Sequence, residues 1–487
     1  MAVITDMRSN RQAVLVLIML AGVLAYTTFQ WGGVVRTGRY QYLLVLGLLA
    51  ILLSLGRSHD RWSALPGSVM QWAAVLLPAY LLMQVVPLPM SVLRVLSPAR
   101  AETMDALVPV GAKVSVASLS VFPAGTFQLF LLVCGYLVIF LVIRELTRRF
   151  RERRWQMAWP ILGIAALEAA LGLWQYFGGT GDQVRWGTYA NHNHYAGFLE
   201  MALPFAVMYP VAVLRRAHSK WHSSIVPSFA ASCVWALAVS MVAAIILSLS
   251  RMGFIAALSS LFLMGALVLE TTQLSWLTGS RKRRWVAVGI VAALVLAAFV
   301  FLPPERLIQR FARFVSTDGL NSDGRTGLWA ETIPLIKAYP FFGCGLGGYE
   351  TAFSRFKISG VLVTDDFVHN DYLQLLAELG LVGFVIVAVL AFSVVRIAVS
   401  GAVKSSDPET RYFGVACLGA LSTIALHSFA DFNLYIPANA MLLAWIAGMT
   451  MSVELRVAET NVRERFEVTN VATGESVEIG AHEEIYG

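Results

Sequence analysis

Apolar runs too long for core strands recur from one end of this chain to the other, and they restrict its fold more than any other feature. Runs of roughly 15 or more residues bounded by charge or by Gly and Pro fall at 13–29, 40–55, 69–86, 127–143, 155–176, 196–214, 225–249, 253–269, 285–302, 381–399, 413–426 and 439–453. A helix needs ~20 apolar residues to cross the hydrocarbon core, where every backbone N–H and C=O must be paired without help from water. The pattern predicts an all-α polytopic membrane protein with about 12 transmembrane helices. Of the 487 residues, 57% are hydrophobic and 14% charged, against ~25% charged in ordinary soluble domains. That balance disfavours a soluble enzyme, a disordered protein and a nucleic-acid-binding module, so membrane lipids are expected partners and nucleic acid is not. Four scattered cysteines, three of them in apolar stretches, form neither a disulfide scaffold nor a zinc site.

Orientation follows from where Lys and Arg collect beside short loops. With the N-terminus inside, the inner short segments hold 20 basic residues and the outer ones 7. Both termini are therefore expected in the cytoplasm, the first run being a retained signal anchor behind Arg8 and Arg11 with no small-residue cleavage site. One long outer segment, 303–371, is left. The expected organisation is a transmembrane domain over 1–453 and an acidic cytoplasmic tail over 454–487, a small hairpin or a disordered segment. The tail has 8 acidic and 3 basic residues, so the formal +7 of the chain divides into −5 there and +12 on the membrane body. Most of that excess lies on inner loops and reports orientation.

The long outer segment is the least membrane-like part and the first place to look for chemistry. Apolar Leu328, Ile333 and Ile336 recur at roughly helical spacing after Ser322-Asp323 and before Pro340, which predicts a short amphipathic helix on the outer membrane face. Pro334 is expected to kink or shorten it. Arg325 stands at its start, where a planar guanidinium and free N–H groups both suit phosphate oxygens; a solvated loop arginine is the plain alternative. His369-Asn370 lies where the segment re-enters the membrane, nine residues before Gly380-Leu381-Val382-Gly383. An imidazole titrating near neutrality serves there as a base, or simply bonds a loop carbonyl, while Asn370 and Asp371 suit a helix cap.

Other constellations lie outside this segment. Arg251 sits in the tight outer turn Ser250-Arg251, and an arginine so near hydrocarbon faces a cavity or a partner. Arg185 precedes Asn191-His192-Asn193-His194 in the turn after the fifth run; with no Cys or carboxylate nearby to complete a ligand set, polar recognition of a sugar suits these residues better than a metal. Glu168 and Glu200 lie within spans and are candidates for function or for pairing. His427 and Asp431, in the last outer turn, could line the same cavity. Gly343-Cys344-Gly345-Leu346-Gly347-Gly348 satisfies G-x-G-x-x-G but follows a helix rather than a strand, so it reads as a flexible turn rather than a nucleotide site. There is no P-loop, and no pair of Gly/Pro-broken spans in matching halves to suggest a secondary transporter.

With these motifs in place, the sequence resembles the O-antigen ligase and polysaccharide polymerase superfamily of bacterial inner-membrane glycosyltransferases. The likeness rests on His369-Asn370 with nine residues before Gly380-x-x-Gly383, Arg325-x-x-x-Trp329, Pro340-x-x-Gly343-x-Gly345 and Ser250-Arg251, within a topology similar over nearly the whole chain to about Val453. The Asn191–His194 turn is more similar to exopolysaccharide polymerases than to short ligases. The resemblance implies an all-helical, GT-C-like membrane glycosyltransferase with one long periplasmic loop. Its donor would be a glycan on a polyprenyl diphosphate, its acceptor a hydroxyl of a glycan, lipid or protein, with no cofactor and no metal. It further implies Arg251 and Arg325 as diphosphate-binding arginines and His369 as the catalytic histidine, with Asn370, Arg185, Asn191, His192 and His194 as substrate-binding candidates. A lipid-linked oligosaccharide flippase or other transporter is the competing reading, supported by the spans alone.

Overall fold

A computed structural model describes residues 2–35, 41–49, 68–111, 113–178, 186–219, 225–271, 325–358 and 364–453. The ninth apolar run, residues 303–324, Arg185 and the tail 454–487 lie outside the described residues.

The described chain is almost wholly helical. Long helices are α1 (Ala2–Phe29), α3 (Ser68–Val85), α6 (Pro123–Arg149), α7 (Trp159–Gly178), α8 (His192–Ser219), α9 (Ile225–Leu247), α10 (Arg251–Thr271), α13 (Asp371–Lys404), α14 (Pro408–His427) and α15 (Pro437–Val453). A shorter α2 covers 41–49, and α4 (Met90–Leu96), α5 (Pro98–Asp105), α11 (Arg325–Ala338) and α12 (Tyr349–Phe353) lie between the long ones. Among the described residues, seven helices are long and apolar enough to cross a membrane, and the helices Val69–Val85 and Pro437–Val453 are apolar but shorter. Eleven of the twelve expected runs fall at least partly on helices.

Helices α8, α14 and α15 are the most enclosed and form the centre of the bundle. Small residues permit that. A Cβ on Gly414 of α14 would stand 2.7 Å from the Ala402 backbone nitrogen of α13, so the two helices touch backbone to backbone, the approach that gives dispersion contact between helices where lipid removes the hydrophobic drive. The centre is filled by Phe198, Phe205, Phe413, Trp445 and Met449, all 1% exposed or less.

Two arginines of the basic cluster at 144–154 have a structural part. Arg144 and Arg154 are buried; Arg154 Nη1 donates to Thr410 Oγ1 at 3.1 Å and its guanidinium lies 5.8 Å from the Phe413 ring centroid. They tie α6 and the 3₁₀ segment Arg151–Ala158 into the bundle, because a cation at that depth is stable only with partners.

At the opposite end, Leu88–Pro89 pairs antiparallel with Val116–Ala117, Leu88 opposite Ala117, the one two-stranded ribbon among the described residues. The ribbon closes a cap over α4 and α5. Helix α11 is uninterrupted despite Pro334 and starts at Arg325, three residues before its first apolar contact. It does not rest on an apolar face alone: Leu335 and Tyr339 pack with Cys344, Tyr349, Phe353, Val368 and Ala377 in a second small core. Thr332 Oγ1 lies 2.8 Å from Tyr349 Oη and donates or accepts there. These tertiary contacts outweigh the helix-breaking preference of one proline.

Candidate active site

The re-entry of the chain at His369 is built from the glycines that the sequence pattern singled out. Helix α13 is broken at Gly380, whose φ of 61° and ψ of −172° belong to a region open essentially to glycine. The break separates Asp371–Leu379 from the apolar continuation that begins at Leu381. Gly343, Gly345 and Gly347 all have positive φ and wrap the break: Cys344 N–H donates to Ala377 O at 2.9 Å, Gly345 N–H to Glu378 O at 2.9 Å, and Leu381 N–H to Pro340 O at 2.8 Å. The glycine run is thus a fitted clasp rather than a loose turn. Glu378 completes it from within, accepting from Gly347 N at 2.8 Å, Gln374 Nε2 at 2.9 Å and Tyr435 Oη at 2.7 Å.

Helix α13 opens on Asn370, whose Oδ1 accepts from the Tyr372 and Leu373 amides at 3.0 and 3.1 Å. Asn370 is therefore a helix cap, 7% exposed. Immediately before it, His369 has φ +53°, one of three non-glycine residues with positive φ among those described; such strain concentrates at sites held for function. Trp329 of α11 donates to Val368 O at 3.0 Å, and the Val368 amide donates to Gln374 Oε1 at 2.8 Å, which fixes the backbone on the other side of the histidine.

The turn after α14 receives these parts. Arg325 Nη1 donates to Ala430 O at 2.7 Å. His369 Nδ1 lies 3.3 Å from Asp431 Oδ1, and its side chain is 34% exposed. The same oxygen accepts from the Phe432 amide at 2.9 Å and lies 3.5 Å from His194 Nε2. Burial pushes the Asp431 carboxyl up, but the His194 and His369 rings against it more than offset this and hold it well below the usual carboxylate range. An ionised carboxylate only accepts, so in the bond between them His369 Nδ1 is the donor. Phe432 stands edge-on to both rings, at 4.7 Å from His194 and 4.8 Å from His369, and stacks on Phe367 at 4.1 Å.

The turn itself is anchored from below. Asp371 accepts from Ser428 Oγ at 2.7 Å and from the Leu434 amide at 3.3 Å, a role larger than a cap. His427 Nδ1 and Glu200 Oε1 pair at 3.0 Å, both fully buried, joining α14 to α8. Glu168, the other carboxylate within a span, meets no arginine among the described residues; it accepts from the Thr188 amide at 3.0 Å and Thr188 Oγ1 at 2.6 Å, holding the turn that leads to α8.

Of the residues expected at the site, His369, Asn370, Arg325 and His194 come together around the turn 428–432. Arg251 begins α10 beside the first turns of α8: a Cβ on Gly253 would stand 2.6 Å from Ala196 Cβ, two residues past His194. Asn191 accepts from the Asn193 amide at 2.8 Å, and the His192 ring lies 5.1 Å from Trp186, so both stay in the turn that opens α8. Sequence reasoning missed Glu378, whose only signal is a carboxylate two residues before a glycine in an apolar stretch. Among the described residues no group of three or more His, Cys, Asp or Glu side chains is placed to hold a metal ion.

The fold and site define a polytopic helical membrane protein with a polar site at one end of its bundle. Residues 236–388 match the family model for O-Antigen ligase. That segment is similar to the O-antigen ligase family, whose general activity is glycan transfer. The matched segment contains Arg251, Arg325, His369 and Gly380; His194, His427 and Asp431 lie outside it. No curated protein matches the chain.

Proposed function

We propose that this protein transfers a glycan from a polyprenyl diphosphate carrier to an acceptor hydroxyl at the periplasmic face of the bacterial inner membrane. It does so as a surface polysaccharide polymerase or an O-antigen ligase, and without a metal. The observation that carries the reading is that Arg325 and His369, 44 residues apart in sequence, are bonded to the adjacent residues Ala430 and Asp431 of one turn. A cation for a leaving diphosphate and a base for a hydroxyl are thereby held side by side.

In this reading the acceptor oxygen attacks the anomeric carbon while its proton passes to His369 Nε2. The bond from that carbon to the diphosphate oxygen breaks, and the oxygen keeps the electron pair. Arg325 and Arg251 stabilise the negative charge that develops, an effect that is large because the donors are already oriented when the charge appears. Asp431 steadies the imidazolium through Nδ1. Asn191 and His192, in the outer turn, are the candidate sugar contacts, with Arg185 beside them in sequence. The domain over 1–453 is the transferase, both termini being cytoplasmic.

The test is reconstitution with a purified lipid diphosphate-linked repeat unit, with and without chelator, followed by product sizing. Transfer should survive the chelator. His369→Ala and Arg325→Ala should each abolish it at unchanged membrane levels, and wild-type transfer by both variants overturns the assignment. Movement of the intact lipid-linked unit across the bilayer with no new glycosidic bond would support a flippase instead. Single capped repeats in a deletion strain mark a polymerase, and long chains left on the carrier mark a ligase. A reporter after Gly319 should behave as periplasmic and one at Gly487 as cytoplasmic.

A further inference from the structure

His194 was expected to contact sugar, yet it is 5% exposed and its Nε2 lies 3.5 Å from the carboxylate oxygen that His369 uses. We propose that His194 is a positioning residue of the transfer reaction, acting on His369 through Asp431. The inference rests on the proposed role of His369 as base.

The Phe432 amide on its own backbone and His369 Nδ1 on the substrate side meet Asp431 Oδ1, and His194 Nε2, which has no other partner among the described residues, stands 3.5 Å from the same oxygen on the buried side. Oδ2 has no partner among the described residues. Nothing from that side therefore fixes the rotation of the carboxylate, and its orientation depends on what meets Oδ1. The amide alone leaves the group free to turn about its Cβ–Cγ bond. His194 supplies the second point. Its own position is firm: His194 O accepts from Asn439 Nδ2 at 3.0 Å, Asn439 Nδ2 also donates to Asn433 Oδ1 at 2.8 Å, and Tyr189 Oη donates to Asn439 Oδ1 at 3.1 Å. The first turn of α8 is thereby tied to the start of α15, and the His194 ring is packed against Phe432. His194 changes neither charge nor bonding in the reaction; the acceptor proton goes to His369 Nε2. What His194 supplies is a carboxylate already facing His369 when the imidazolium forms, and misplacing such a partner by ~1 Å costs about a hundredfold in rate.

The experiment is a double-mutant cycle on the full-length protein in nanodiscs, with lipid diphosphate-linked repeat unit as donor. His194→Leu should lower kcat about tenfold to a hundredfold with KM for the donor within about twofold, the pattern of an interaction lost only in the transition state. His194→Gln, which keeps an N–H donor toward Asp431, should recover most of the loss. In the Asp431→Asn background, His194→Leu should have no further effect, because a residue that acts through another shows full coupling in such a cycle. Wild-type kcat in His194→Leu, a rise in KM in place of a fall in kcat, or losses that multiply in the double variant would each overturn the proposal. Full activity in His369→Ala would instead sink the catalytic reading beneath it, so the two failures are distinguishable. Thermal unfolding of each variant separates a folding defect from the kinetic one, and a loss of kcat that tracks unfolded fraction counts against the proposal.

Discussion

Gly380→Ala is the substitution that most directly tests how the site is built. At φ 61° and ψ −172° an alanine is strained by about 1–3 kcal/mol. Its Cβ would also stand 2.4 Å from the Phe341 carbonyl carbon and 2.5 Å from the Gly343 nitrogen. Those are backbone atoms, so no rotamer change relieves the overlap, and overpacking of this kind costs about 1–3 kcal/mol more. Together the change destabilises the clasp by about 2–6 kcal/mol. The bonds in the way are Leu381 N to Pro340 O at 2.8 Å and Val382 N to Phe341 O at 3.1 Å, and loosening them frees the short helix that His369-Asn370 begins. Thermal unfolding in detergent and glycan transfer in nanodiscs should both fall sharply. Gly327→Ala is the control. It lies in α11 with nothing within 4 Å of its added Cβ, and alanine there gains up to ~1 kcal/mol of helix propensity. A Gly380→Ala protein that melts within a degree of wild type and transfers at more than half its rate would refute the clasp as the element that sets the site.

Three further outcomes are expected. Arg325→Lys keeps the charge but not the planar fork that bonds Ala430 O while facing the site, so kcat/KM should fall by about 10- to 100-fold, measured with the lipid-linked donor. Arg154→Ala removes a buried side chain bonded to Thr410 and packed on Phe413; it should destabilise by about 2–4 kcal/mol, seen as lower membrane levels, with unchanged transfer per folded molecule. The Asp431 carboxyl is held below its ordinary value of 3.8, so its stabilisation is complete above that value and is lost as pH falls through the lowered one. Unfolding midpoints of Asp431→Asn should therefore trail wild type at pH 6, and the gap should close as both are titrated below pH ~4.

The helices were legible because lipid imposes a one-dimensional rule: a segment that crosses must satisfy its own backbone and show apolar side chains for ~20 residues. The His369-Asn370 and Gly380 spacing was legible for a similar reason, being local in sequence and dictated by a cap and a backbone break. Asp431 was legible only as a residue that could line the same cavity, and its pairing was not. It is 62 residues from His369 and more than 200 from His194, and a lone aspartate in a short turn carries no periodicity that would assign it a partner. The structural part played by Arg144 and Arg154 was not legible either, since the charge rule counts arginines without regard to whether they are solvated or packed. The glycine run looked loose because glycine permits many backbone angles; here each positive angle is used to bring two backbones within hydrogen-bond reach.

The turn at 428–432 also sets the boundary of what can be exchanged between relatives. The family segment at 236–388 brings Arg251, Arg325 and His369, but the carbonyl that holds Arg325 and the carboxylate that faces His369 belong to Ala430 and Asp431, beyond its end. A chimaera cut at the limits of that segment would inherit reactive groups without their moorings. The smallest transplantable unit runs from the first turn of α8 through the start of α15, and residues 369 and 431 are a pair that should change together across homologues.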